Sequence, residues 1–193
     1  MVELKGRALI IDVALELFSA RGFDAVSIRD IAEATGLTNP ALYRHFSSKQ
    51  ALGLSVYRSC YEDLLDRFEA RRATADNPLE ALLSHFDVVA EQLETDPRMF
   101  LYIERLQSVF WPQLRDSLGR RALTYQIKEL IDSAQDSGLI TSEVDVDVIT
   151  ALLLGSIGQR AEMIAQGLVT EEFAAEQLKL LFQSAVTPES VSS

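Results

Sequence analysis

Asn39, Tyr43, Arg44, His45 and Lys49 crowd into one short stretch of this chain. Their shared chemistry is hydrogen-bond donation and positive charge. An Asn amide pairs with an adenine edge through two bonds, and an Arg fork suits guanine or phosphate. A Tyr hydroxyl, an imidazole and an ammonium all donate to phosphate oxygens. Pro40 and Ala41 add apolar surface of the kind that meets a thymine methyl. Ser27 and Thr38 each stand before an apolar helical run, where a side-chain oxygen caps and free N–H groups favour an anion. Singly, each residue has a plain structural explanation as cap, solvated cation or packed ring. Together they converge on one edge, and that edge is suited to duplex DNA.

Other chemistry is thinly provided. The chain holds two His and one Cys. It has no H-E-x-x-H, no G-x-S-x-G, no phosphate-binding glycine loop and no zinc-spaced Cys/His set. Catalytic residues, metals and cofactors are therefore expected to be absent, and an enzyme is disfavoured. Asp145 and Asp147 read as acids at a helix start, where the dipole favours them. Cys60 reads as a small buried hydrophobe, and a lone Cys forms no internal disulfide. No secretory signal is evident, since Asp12 and Glu16 break the first apolar run. The run Val148–Ile157 is too short to cross a bilayer. A cytoplasmic protein without a membrane partner is the expectation.

The elements that must position these groups are helical. Apolar residues recur at helical spacing: Leu9, Val13, Ala14, Leu17 and Phe18, then Ile28, Ile31 and Ala32. Gly22 ends the first helix; Ser27 opens and Gly36 closes the second; Thr38 caps the third with Pro40 in its first turn. Ser47 and Gln50 form a capping-box pattern for the fourth helix, which runs to about Thr74. Asn77-Pro78 and Asp96-Pro97 each open another. Trp111-Pro112 predicts a restart, with that helix running to about Ser137 and Gly138 ending it. Asp145 to Gln166 gives the next, closed by Gly167. Thr170 with Glu171 and Glu172 caps the last, ending near Val186. The reading is all-α: a DNA-binding head over residues 1–50, a helical body over 51–188 and a flexible tail over 189–193. The head core draws on Ile10, Val13, Ala14, Leu17, Phe18, Ile28, Ile31, Ala32, Leu37, Leu42 and Phe46, with Phe23 and Val26 plugging a loop.

The charge distribution permits DNA. The net charge is −11 over 193 residues. The head balances its Lys and Arg against its Asp and Glu, so the excess acid lies in the body. Salt screens that acid beyond about 10 Å. An architectural DNA binder without a ligand is disfavoured, because such proteins are basic overall.

Three stretches carry a family resemblance: ALELFSARGF (Ala14–Phe23), SIRDIAEATG (Ser27–Gly36) and LYRHFSSKQAL (Leu42–Leu52). Residues 10–57 resemble the N-terminal domain of the TetR family of bacterial transcriptional regulators. The resemblance implies a homodimer on a palindromic operator, with one head in each of two successive major grooves. It implies a body that binds a small-molecule effector and dimerises. It implies phosphate contacts from Ser27, Tyr43, His45 and Lys49, and base contacts from Thr38, Asn39, Pro40 and Arg44. Asn39-Pro40-Ala41 departs from relatives with a Lys, Gly or Thr near this point, so base preference does not transfer.

The body offers two further sets of residues. Tyr61, Phe68, His85, Phe86, Met99, Tyr102, Arg105, Phe110, Trp111 and Tyr125 mix large apolar surface with a few polar groups, as pockets do. A hydrophobic or amphipathic effector, rather than a charged carboxylate, fits that mixture, and Pro112 suggests a helix break beside it. Leu152, Leu153, Gly155, Ile157 and Met163, then Phe173, Leu178, Leu181 and Phe182, give the last two helices apolar faces suited to self-association. The long fourth helix is the expected lever between head and body. A ligand-responsive repressor is the favoured reading, with an activator or a ligand-independent DNA binder as the alternative.

Overall fold

The computed structural model describes residues 2–169 and 173–188. Its described residues form nine α-helices and no strand: α1 Val2–Arg21, α2 Ile28–Thr35, α3 Asn39–His45, α4 Lys49–Arg72, α5 Pro78–Thr95, α6 Pro97–Leu118, α7 Leu123–Asp136, α8 Val146–Ala165 and α9 Ala175–Val186. One 3-10 turn, Gly119–Arg121, lies between α6 and α7. The expected all-α architecture with a three-helix N-terminal head is what forms.

Caps written in the sequence set most of the ends. Ser27 and Asp30 make a reciprocal capping box on α2, and Gly36 closes that helix at φ 68°. The Asn77 amide oxygen accepts from the Glu80 N–H at 2.9 Å to open α5. The Asp145 carboxylate accepts from the Asp147 N–H at 2.7 Å to open α8. Two expectations fail. The cap of α4 is Ser48, whose Oγ accepts from Ala51 at 3.0 Å, rather than Ser47. Pro112 does not interrupt α6. It removes a single N–H, and Ser108, four residues earlier, is exposed. The break falls instead at Gly119, whose φ of 53° an L side chain rarely adopts. The proposed cap of α9 at Thr170–Glu172 and the tail at 189–193 lie outside the described residues.

The helices gather into two units, Met1–Asp63 with Asp96–Asp116, and Leu64–Thr95 with Ser117–Ser193. In the first, α1 packs on α2 and α2 on α3. Ile10, Ala14, Phe18, Ile31, Ala32, Leu42 and Phe46 are buried, while Val13, Leu17, Ile28 and Leu37 are partly exposed. Phe23 and Val26 plug the α1–α2 loop as expected. An aromatic cluster extends this core: Phe18 to Phe23 at 5.0 Å, Phe23 to Phe110 at 5.4 Å and Tyr57 to Phe110 at 5.8 Å between ring centroids. Gly53 of α4 makes that cluster possible. A Cβ there would lie 2.5 Å from Phe23 and 2.8 Å from Phe110.

In the second unit α5 packs against α7 and α9, and α7 against α8. Leu82, Phe86, Ile127, Ile131, Ile149 and Leu153 are fully enclosed. The Gln135 amide donates to the carbonyls of Thr141 and Val144, both at 2.9 Å, and so holds the α7–α8 loop. Among the described residues one helix, α8, is long and apolar enough to cross a membrane by length and composition. The run Val148–Ile157 understates it, since apolar residues resume at Ala161 and Met163. Ile149, Leu153, Ile157 and Ala161 of α8 are buried within the unit, while Val148 and Leu152 are exposed.

Two outcomes are expected. Gly53→Ala overpacks the ring cluster and lowers stability by about 2 kcal/mol, a Tm fall of roughly 4–8 °C. A Tm unchanged by calorimetry would show that the rings move aside freely. His85 is buried, and desolvation lowers its pKa to about 4, below the 6.5 of the unfolded chain. The unfolded state therefore binds the extra proton, so stability falls as pH drops from about 6.5 to 4, by roughly 3 kcal/mol. Denaturant titrations should show that slope in the native chain and a flatter one in His85→Phe.

Candidate DNA interface

The reading edge is built from α3 outward. Thr38 caps it, its hydroxyl accepting from Ala41 at 3.3 Å, and a proline in the first turn costs α3 no internal bond. Leu42 is fully buried and Phe46 nearly so, which turns the opposite face of α3 outward. That face exposes Thr38, Asn39, Pro40, Tyr43 and Arg44, with Ala41 and His45 partly covered. Tyr43 is 52% exposed, unusual for so large a ring. The His45 imidazole Nε2 faces α1, 3.7 Å from where a Cβ on Gly6 would stand.

A groove of about 480 Å³ lies beside α3, lined by Asp24 to Arg29, Asn39, Tyr43 and Lys49. Four of the residues expected to meet DNA, Ser27, Asn39, Tyr43 and Lys49, share it. Arg29 shares it too and was not expected. It pairs with Glu33 at 2.9 Å on the exposed face of α2. Its signal in the sequence was its place in the first turn after the Ser27 cap. The cap itself is crowded: the Ser27 N–H and hydroxyl donate to Asp30 at 2.7 and 2.6 Å. Those bonds, with Arg21 at 3.4 Å, hold the Asp30 carboxyl below the usual carboxylate range.

Lys49 departs from the picture of a solvated cation. Its Nζ donates to the carbonyls of Phe23, Asp24 and Val26 at 3.1, 3.2 and 3.1 Å. It also lies 4.7 Å from the Phe23 ring centroid. All three ammonium protons are thereby used within the protein, yet the charge stays at the groove wall.

The pocket residues expected from sequence fall as follows. In the first unit Tyr61 packs on Trp111 at 5.3 Å, Phe110 is enclosed, and Met99 is partly covered. Tyr102 donates to the Gly53 carbonyl at 3.2 Å. Tyr102 and Arg105 line one groove with α1. In the second unit Phe68 stacks on His85 at 4.4 Å, and the His85 Nδ1 meets the carbonyls of Ala81 and Leu82. Phe86 meets Phe182 at 5.9 Å, and Tyr125 is 57% exposed. Of the self-association set, Leu153, Ile157, Phe173 and Phe182 are buried within the chain. Met163 and Leu178 are partly covered, and Leu152, Gly155 and Leu181 are exposed. Leu180 and Val148, outside the expected self-association set, are exposed as well.

Fold and edge define a helix-turn-helix protein with a helical body. The sequence profile of the bacterial regulatory proteins of the tetR family matches residues 10–56. The chain is 31% identical over 170 residues to the transcriptional activator FasR of Mycolicibacterium smegmatis, covering 86% of this chain and 68% of FasR. It is 34% identical over 85 residues to the transcriptional repressor KstR2 of the same organism, covering 44% of this chain and 42% of KstR2. A tetR-family regulatory protein from Rhodococcus RHA1 shares the fold, with a TM-score of 0.81 at 17% identity over 96% of this chain and 99% of that one. The chain belongs to the tetR family of bacterial regulatory proteins.

Replacing Lys49 with Met strips three carbonyls of a charged donor. Urea unfolding should show a loss of about 2 kcal/mol. A change under about 0.5 kcal/mol, the usual value for a surface site, would show the three bonds to be incidental.

Proposed function

We propose that this chain is a ligand-responsive repressor that binds a palindromic operator as a homodimer and is released by a small hydrophobic or amphipathic effector. Residues 1–50 form its DNA-binding domain, and residues 51–188 its ligand-binding and dimerisation domain. The observation that carries the reading is the exposed α3 edge bordering a groove with a fixed cation. Asn39, Pro40, Thr38 and Arg44 meet base edges; Ser27, Tyr43, His45 and the charge of Lys49 meet phosphate. The family membership supports this assignment of roles. The protein works in the cytoplasm and is not an enzyme.

Dimerisation runs through the exposed apolar residues of α8 and α9. Leu152 and Leu181 are 44% and 67% exposed, and Leu180 and Val148 join them. Self-association would cover these apolar side chains together. One head grips few phosphates, so affinity depends on two heads acting together. Half-sites one helical turn apart stand about 34–36 Å apart, so a few ångströms of displacement transmitted along α4 disengages one head. An activator is the second reading, because FasR, matched over most of this chain, is named as one.

Selection of palindromic duplexes from a random library, followed by fluorescence anisotropy, tests the proposal. The native chain should select one palindrome and bind it with strong salt dependence. Leu181→Glu should sediment as a monomer and lose about 10²-fold in affinity or more. Absence of any sequence-selective binding by the native chain would refute the reading.

A further inference from the structure

In the first unit a groove of about 500 Å³ opens between the C-terminal half of α1 and the start of α6. Small-molecule sites span about 300–1,000 Å³. Phe18, Phe23, Leu101, Tyr102 and Leu106 make its lining largely apolar. Three polar features qualify that lining. Ser19 is among the lining residues, and its Oγ is buried with no hydrogen-bond partner. A buried hydroxyl left without a partner carries a desolvation cost that an incoming oxygen would relieve. Glu16 and Arg105 bring one charge of each sign. Arg98 is the third, and its fork is held by Asp96 at 2.8 and 2.7 Å.

The formal charges at this site therefore balance. A carboxylate entering it would lose its hydration without meeting a net positive field. A hydroxyl or carbonyl oxygen on an apolar body loses less and satisfies Ser19. We propose that this groove binds a neutral, largely apolar small molecule that carries one hydroxyl or carbonyl oxygen, paired with Ser19.

Two walls of the groove reach the reading edge. Phe23 supplies one, and Lys49 holds both its carbonyl and its ring face. Tyr102 supplies another and donates to Gly53 in the second turn of α4. An occupant thus touches the side chains that fix the α1–α2 loop. Resting on the regulator reading, occupancy changes operator affinity, and the operator changes ligand affinity by the same factor.

Calorimetry on the full chain with 2-naphthol and 2-naphthoate tests the site without DNA. The native chain should bind 2-naphthol, and 2-naphthoate at least about tenfold more weakly. Ala20→Trp should abolish binding, because Ala20 lines the groove and is itself exposed. Ser19→Ala should weaken 2-naphthol about three- to tenfold while the ligand-free Tm holds or rises, since the unpartnered hydroxyl is removed. Equal affinity for the two probes, no binding of 2-naphthol, or unaltered binding by Ala20→Trp overturns the proposal. A second arm measures affinity for the selected operator with and without saturating 2-naphthol. A shift in the native chain that is absent in Ala20→Trp supports the coupling, and no shift overturns it. Failure of operator binding alone leaves the calorimetric result standing, so the two readings fail separately.

Discussion

The ammonium of Lys49 is the interaction on which the head depends. The α1–α2 loop turns sharply after Gly22 and presents three carbonyls, those of Phe23, Asp24 and Val26, that no helix can satisfy. Lys49 satisfies all three from the first turn of α4. One residue thereby fixes the loop against α4 and, through the loop, sets the position of Ser27 at the start of α2. The cation over Phe23 adds to this. A carbonyl cluster concentrates negative partial charge, so a neutral side chain of equal length would leave it unanswered. The same charge stands in the wall of the groove beside α3, which joins scaffold and proposed phosphate site in a single atom.

The charge pattern has a structural counterpart. Four cations of the head are engaged: Arg21 with Asp30, Arg29 with Glu33, Arg7 over Phe46 and Lys49 with carbonyls. None of these bonds removes the charge, and the three carbonyls hold that of Lys49 most firmly. Held charges pay no rotamer entropy when a phosphate arrives. On the proposed reading, a head of net zero charge would bind weakly to duplex of arbitrary sequence and depend on register. That is the behaviour an operator reader requires, and it fits the proposal that two heads must engage together.

What could be read from sequence was what is local. Caps and stops depend on residues three or four positions apart, so Ser27, Thr38, Asn77 and Asp145 were legible, as were Gly36 and Gly138. Errors came where the deciding partner is distant or where two neighbours compete. Ser47 and Ser48 have the same chemistry, and only the backbone path chooses Ser48. That the Lys49 ammonium is bound within the protein was not legible, because its carbonyl partners lie 23 to 26 residues earlier. Pro112 looked like a stop because the sequence does not reveal that Ser108 faces water. Gly119, an unremarkable glycine in the sequence, carries the break through its positive φ.

The apolar faces of α8 and α9 show a deeper limit. Periodicity marks which residues are apolar but not which side of the chain they serve. Leu152 and Leu153 are adjacent and alike, yet one is 44% exposed and the other fully buried. The helical period alone explains this: α8 carries apolar residues around more than one face. Ile149, Leu153 and Ile157 go to the unit's own core, and Val148, Leu152 and Gly155 are left outward. No Cβ on Gly155 would meet an atom within 4 Å in this chain. The outward residues Val148 and Leu152 are the surface that the proposed homodimer would cover.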